Sequence, residues 1–116
     1  MSDFSVEELT IARYQQALRG GAVSTRELVL VYLERIAAID KSGPCINAVL
    51  ELNPDALFLA DYMDQQLRRG NLLGPLHGVP ILLKDNISTG DRTHTSACSL
   101  AFRDHYAVED SHVVKK

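Results

Sequence analysis

The sequence predicts an α/β piece in which helices cover one or both faces of a few strands. Three observations carry that expectation. Two stretches near the start share one helix-opening grammar, Ser-x-x-Glu between apolar residues. A third amphipathic stretch follows Asn53-Pro54. Two short runs of branched apolar residues, 46–52 and 81–83, are too brief for helices and are bounded by turn formers.

Ser5 and Glu8 form the first capping box, with Phe4 and Leu9 at the staple positions, so the grammar predicts a helix from Val6 to Arg19 that Gly20-Gly21 ends. Ser24 and Glu27 repeat the box, with Val23 and Leu28 as staple. The second helix carries Leu28, Val31, Tyr32, Arg35, Ile36 and Ile39 at helical spacing until Lys41-Ser42-Gly43-Pro44 stops it. Ile46–Leu52 alternates in part and reads as a strand. Asn53-Pro54 then caps and opens a third helix, with Ala56, Leu59, Ala60, Met63 and Leu67 as its buried stripe and Gly70 as its stop. Arg68-Arg69 in the last turn complements the helix dipole. Ile81-Leu82-Leu83 is a continuous apolar run, the pattern of a strand buried on both faces.

With 116 residues, the chain is one domain or part of one, and 46% apolar with 23% charged residues suffices for a core. A formal charge of -3 gives no general attraction for phosphate backbones or acidic lipid, so neither nucleic acid nor membrane is an expected partner. The acidic start Met1-Ser2-Asp3-Phe4-Ser5-Val6-Glu7-Glu8 lacks the basic and apolar regions of a secretory signal, and no segment approaches the roughly 20 apolar residues of a membrane span. Cys45 and Cys98 are too few for a disulfide scaffold and read as reduced thiols of a cytoplasmic protein. His77, His94, His105 and His112 show no metal-ligand spacing, no phosphate-cradling glycine loop is present, and neither metal nor cofactor is expected.

Chemistry concentrates in Gly74-Pro75-Leu76-His77-Gly78-Val79-Pro80 and the run that follows it, which ends on Lys84-Asp85-Asn86. A lysine ending a buried strand is costly unless paired or neutral, and the plain alternative is that Lys84 emerges at the surface and pairs with Asp85 or solvent. Gly74 through Asn86 closely resembles the amino-terminal motif of the amidase signature family, serine hydrolases acting on carboxylic amides. Ser24-Thr25-Arg26-Glu27-Leu28, Ile46-Asn47-Ala48 before Asn53-Pro54, and Thr95-Ser96-Ala97 through Ser99-Leu100-Ala101 extend the resemblance from about Ser24 onward. Cys98 departs from it, standing where family members commonly have glycine, which makes the local backbone less permissive.

The resemblance implies an α/β/α fold, a mixed sheet between helical layers, of which residues 1–116 are the amino-terminal part. It also implies that Lys84 is the catalytic lysine, working with a bridging serine to activate a nucleophilic serine. Such a lysine must be depressed from about 10.4 toward roughly 7–8, and burial beside Ile81, Leu82 and Leu83 is the expected source. Asp85 facing the ammonium would oppose this, so its carboxylate is expected to point away.

The family's serines lie in a glycine- and serine-rich segment, for which this chain has no counterpart. Its one Gly-Gly pair is at a helix boundary, and Ser88, Ser96, Ser99 and Ser111 fit turn or capping roles. Asp110–Lys116 reads as a helix opening with no stop, so the chain is expected to be truncated before the serine-containing core. The function expected is therefore the lysine-bearing segment of an amide hydrolase, inactive alone and taking a small-molecule amide only with the missing carboxy-terminal part. The alternatives are a fragment of a glutamyl-tRNA amidotransferase A-type subunit, or a non-enzymatic truncated product or interaction module that binds a partner or the missing half through its uncovered strands and helix faces; self-association of the chain through uncovered strands is also expected.

Overall fold

A computed structural model describes residues 4–116, so Met1-Ser2-Asp3 of the acidic start lie outside the described residues. Its helices are α1 (Ile11–Arg19), α2 (Thr25–Arg35), α3 (Ala56–Arg68) and α4 (His112–Lys115). A π-helical turn, Ile36–Asp40, prolongs α2, and a 3₁₀ turn spans Leu100–Phe102.

The first helix begins later than its capping box predicts. Ser5 Oγ accepts from Glu7 N at 3.3 Å inside a tight turn, Glu8 takes φ 52°, and Thr10 caps α1 by accepting from Arg13 N at 3.2 Å. The reason is packing: Phe4, Val6 and Leu9 all lie against the core, and positions i, i+2 and i+5 cannot share one helical face. The second box forms as predicted. Ser24 Oγ accepts from Glu27 N at 3.1 Å, and Ser24 N donates to Glu27 Oε2 at 2.8 Å. The predicted last helix exists as the short α4, and Arg68 occupies the last turn of α3.

Two compact units result. One takes in the chain to Ile46 together with Ala56–Pro80, and holds all the fully buried apolar residues among those described: Tyr14, Leu18, Val23, Leu28 and Ala60. Here α2 packs on α3, whose buried positions are Ala60, Asp64 and Gln66, so Leu59, predicted in the buried stripe, lies exposed outside it. Asp64 faces inward because it has partners there: Oδ1 accepts from Thr25 N at 2.8 Å and Oδ2 from Arg26 N at 3.0 Å. It thereby satisfies orphan donors of the α2 amino terminus.

The other unit, Asn47–Asp55 with Ile81–Lys116, is held by polar contacts. Arg92 grips the Asp55 carboxylate at 2.6 and 2.8 Å, His94 N and Nδ1 each lie 2.9 Å from the Glu51 carboxylate, and Gly90 N donates to Asp110 Oδ1 at 2.7 Å. Its single buried residue is polar: Ser96, 8% exposed.

No strand forms among the described residues, which corrects the expectations for Ile46–Leu52 and Ile81–Leu83. A strand exists only through hydrogen bonds to a neighbour, and no ladder joins these runs to another segment among the described residues. Cys45 and Asn47 both take φ 54°, which turns the chain where the first run should begin. Ile81 and Leu82 are 61% and 78% exposed, the opposite of a sheet interior. The described chain is helix-rich, as expected for this segment of an α/β fold, and the sheet itself does not form within the described residues. No helix among these residues is long and apolar enough to cross a membrane.

Candidate functional site around Lys84

The segment leading to Lys84 is built around two residues of Gly74–Pro80. His77 is buried, accepts from Leu73 N through Nδ1 at 3.2 Å, and donates through Nε2 to Met63 O at 2.9 Å. With one nitrogen accepting and the other donating, the ring is the neutral Nε2-protonated tautomer and works as a backbone clip, as its place in a turn predicts. Gly78 takes φ +70°, and a Cβ there would stand 2.6 Å from Thr25 Oγ1. Only glycine fits both that conformation and that approach. The Tyr14 hydroxyl donates to Gly78 O at 2.9 Å and lies 3.3 Å from Thr25 Oγ1; its burial pushes its pKa up.

Lys84 belongs to the second unit and is exposed, with Ile81, Leu82 and Leu83 exposed beside it. The apolar burial predicted for Lys84 is therefore not supplied by these residues, because the run that should provide it is itself uncovered. Lys84 O accepts from Ile87 N at 2.9 Å, closing a turn directly after the lysine.

Asp85 faces the 96–98 loop, as the sequence reading requires, and among the described residues no ion pair joins it to Lys84. Its Oδ2 accepts from the Ser96 hydroxyl and from Cys98 N at 3.2 Å, while Oδ1 accepts from Ser96 N at 3.3 Å. The Asp85 main-chain oxygen takes Ala97 N at 3.0 Å. The Ser96 hydroxyl is the chief cause holding the Asp85 carboxyl below its ordinary value; the Cys98 and Ser96 amides and the nearby His94 assist, against a smaller cost of desolvation.

The remaining serines take turn positions. Ser88 O accepts from Ser111 N at 2.9 Å, Ser99 precedes the 3₁₀ turn, and Ser111 occupies the cap position of α4 without a side-chain cap bond. Cys45 and Cys98 are both exposed free thiols. Cys98 takes φ 59° and Ala97 φ 50°, so the position marked as a departure from glycine is left-handed. Sequence reading missed the partners of Asp64 and Asp85: a lone acidic residue carries no mark of which distant amide it meets. The only hint for Asp85 was that Ser96 lies in a stretch sharing the family resemblance.

The family model described as Amidase matches residues 27–116. A probable amidase of Arabidopsis thaliana is 42% identical over 117 residues, covering 99% of this chain and 22% of that protein. The native peptide amidase of Stenotrophomonas maltophilia, a solved structure, superposes with a TM-score of 0.89 at 44% identity, covering 93% of this chain and 22% of that one. The A-type subunit of a glutamyl-tRNA(Gln) amidotransferase from Synechococcus is 40% identical over 92 residues, covering 78% of this chain and 18% of that protein. The chain spans about a fifth of the length of the curated relatives it matches.

Proposed function

The chain belongs to the amidase family, and from that membership we propose that it supplies the amino-terminal, lysine-bearing part of an enzyme that cleaves the C–N bond of a carboxylic amide through an acyl-serine intermediate. The observation that carries this reading is that Gly74–Asn86, which contains Lys84, lies inside the matched region, with the neighbouring carboxylate engaged elsewhere. In the complete enzyme, Ile46–Leu52 and Ile81–Leu83 join a mixed sheet between helical layers, which covers Lys84.

The chemistry follows from the lysine. A nucleophilic serine bonds to the amide carbonyl carbon while its proton passes through a bridging serine to the neutral Lys84 amine. The C–N bond breaks as that proton returns to the leaving nitrogen, and water then hydrolyses the acyl ester. Both serines come from the carboxy-terminal part, so residues 1–116 alone turn over no amide and take no serine-directed fluorophosphonate. The substrate is a small amide; the likeness to the Synechococcus amidotransferase favours, as a second reading, ammonia release by an enzyme of that A type.

The test joins residues 1–116 to the carboxy-terminal part of the Stenotrophomonas peptide amidase and compares Lys84→Ala with Lys84→Arg. Alanine removes the proton acceptor, and a guanidinium stays protonated to beyond about pH 12, so both variants are expected to lose about a hundredfold or more in kcat. Equal folding is checked by circular dichroism. Near-normal turnover of Lys84→Arg overturns the neutral-lysine role.

A further inference from the structure

The loop Thr95–Ser99 is strained in a specific way. Ala97 and Cys98 are consecutive non-glycine residues in left-handed conformation, which L residues adopt as isolated exceptions. Strain of that kind persists only where the surroundings over-determine it. Here the cause is visible: the turn brings three successive amides, Ser96 N, Ala97 N and Cys98 N, around one residue, Asp85. Successive main-chain N–H groups so arranged form an anion-binding concavity. Its occupant is the Asp85 carboxylate, with the Ser96 hydroxyl as a fourth donor and the main-chain oxygen of Asp85 on the middle amide. Ser96 is the one buried residue of its unit.

We propose that the Ser96–Ala97–Cys98 amide nest and the Ser96 hydroxyl form a positioning device for Lys84: they anchor the residue that follows it and keep the Asp85 negative charge turned away from its amine. The inference rests on Lys84 as the proton acceptor, and concerns how this chain prepares it. Asp85 and Lys84 are adjacent, so a carboxylate released from the nest is within a few ångströms of the ammonium and stabilises its charged form. Four donors on one residue remove that option. The other charged groups near the nest are His94, which acts on Asp85, and Glu51, which pairs with His94. Ser96 and Asp85 are positioning residues and touch no substrate.

The test uses residues 1–116 as they stand and reads the amine itself. Competitive acetylation by acetic anhydride at low ionic strength, with mass spectrometry, gives the labelling rate of Lys84 relative to Lys41. Only the uncharged amine reacts, so the ratio reports how strongly the ammonium is held. Ser96→Ala is expected to lower the ratio about twofold, and the deficit to collapse in concentrated salt. The double variant D85N/S96A is expected to restore the ratio, and S96T to keep it. Asp85→Asn alone is expected to leave it unchanged, because the nest already hides that charge; this arm holds even if Ser96→Ala fails to fold. A folded Ser96→Ala with an unchanged ratio overturns the proposal. So does a D85N/S96A variant that stays low, or a twofold rise in Asp85→Asn. None of these arms reads turnover, so failure here is separable from failure of the Lys84 role, which the Lys84→Arg comparison decides.

Discussion

The Asp64 carboxylate caps a helix it does not belong to: it accepts from Thr25 N at 2.8 Å and Arg26 N at 3.0 Å, 39 and 38 residues away along the chain. Ser24 and Glu27 satisfy other donors of the same helix end locally. The α2 amino terminus therefore couples the α2–α3 packing to a charge-assisted hydrogen-bond pair, and that pair can be tested.

Asp64→Ala is expected to cost about 2–3 kcal/mol, because it strands two amides in a buried place where water enters poorly. Asp64→Asn keeps one acceptor and is expected to cost about half as much. Urea unfolding checks both; an alanine variant within about 0.5 kcal/mol of wild type would show that water replaces the cap.

Glu27 gives a dependence on pH. The Ser24 amide, and next its hydroxyl, hold the Glu27 carboxyl below its ordinary value of 4.5. A carboxyl depressed in the folded state contributes stability that is present above the unfolded value and lost as pH falls through the folded one. Glu27→Gln is thus expected to be less stable than wild type near neutral pH by about 0.5–1 kcal/mol, a figure discounted for solvent screening. The gap should narrow on acidification below pH 4.5. Thermal melts of the two proteins from pH 7 to about 3 check this, and a gap that widens in acid contradicts it.

Cys98 sits at φ 59° where glycine carries no Cβ penalty. Cys98→Gly is expected to stabilise the chain by about 0.5–1 kcal/mol, the relief of strain exceeding the added freedom of the unfolded state. The same change leaves the N–H of residue 98 available to Asp85. Destabilisation in a urea titration would mean that the thiol contributes packing the exposed position does not suggest.

Residues 1–116 are expected to self-associate. Leu50, Leu82, Leu100 and Val108 are 67%, 78%, 86% and 99% exposed in a unit whose one buried residue is Ser96. Its exposed ion pairs, such as Arg92 with Asp55, are screened by water and do not compensate for uncovered apolar surface. Sedimentation across concentration reads the association. A stable monomer with sharp cooperative unfolding would count against it.

What the sequence determined by itself was what neighbouring residues settle among themselves. The Ser24–Glu27 box spans three positions, Asn53-Pro54 lies just ahead of α3, and the Gly74–Asn86 run is contiguous, so helices α2 and α3 and the family likeness of that run were legible, whereas the buried strand end expected for Lys84 did not form. Tertiary structure decided everything that needed a distant partner. Ser5 and Glu8 make a sound local cap, yet burying Phe4, Val6 and Leu9 together moved the helix start to Thr10. Ile46–Leu52 and Ile81–Leu83 have strand composition, but a strand is a pairing between segments, and no run within the described residues provides the ladder. The carboxylates of Asp64 and Asp85 look alike in sequence; one became a helix cap and the other the occupant of an amide nest, because a charged oxygen goes wherever folding leaves unsatisfied N–H groups.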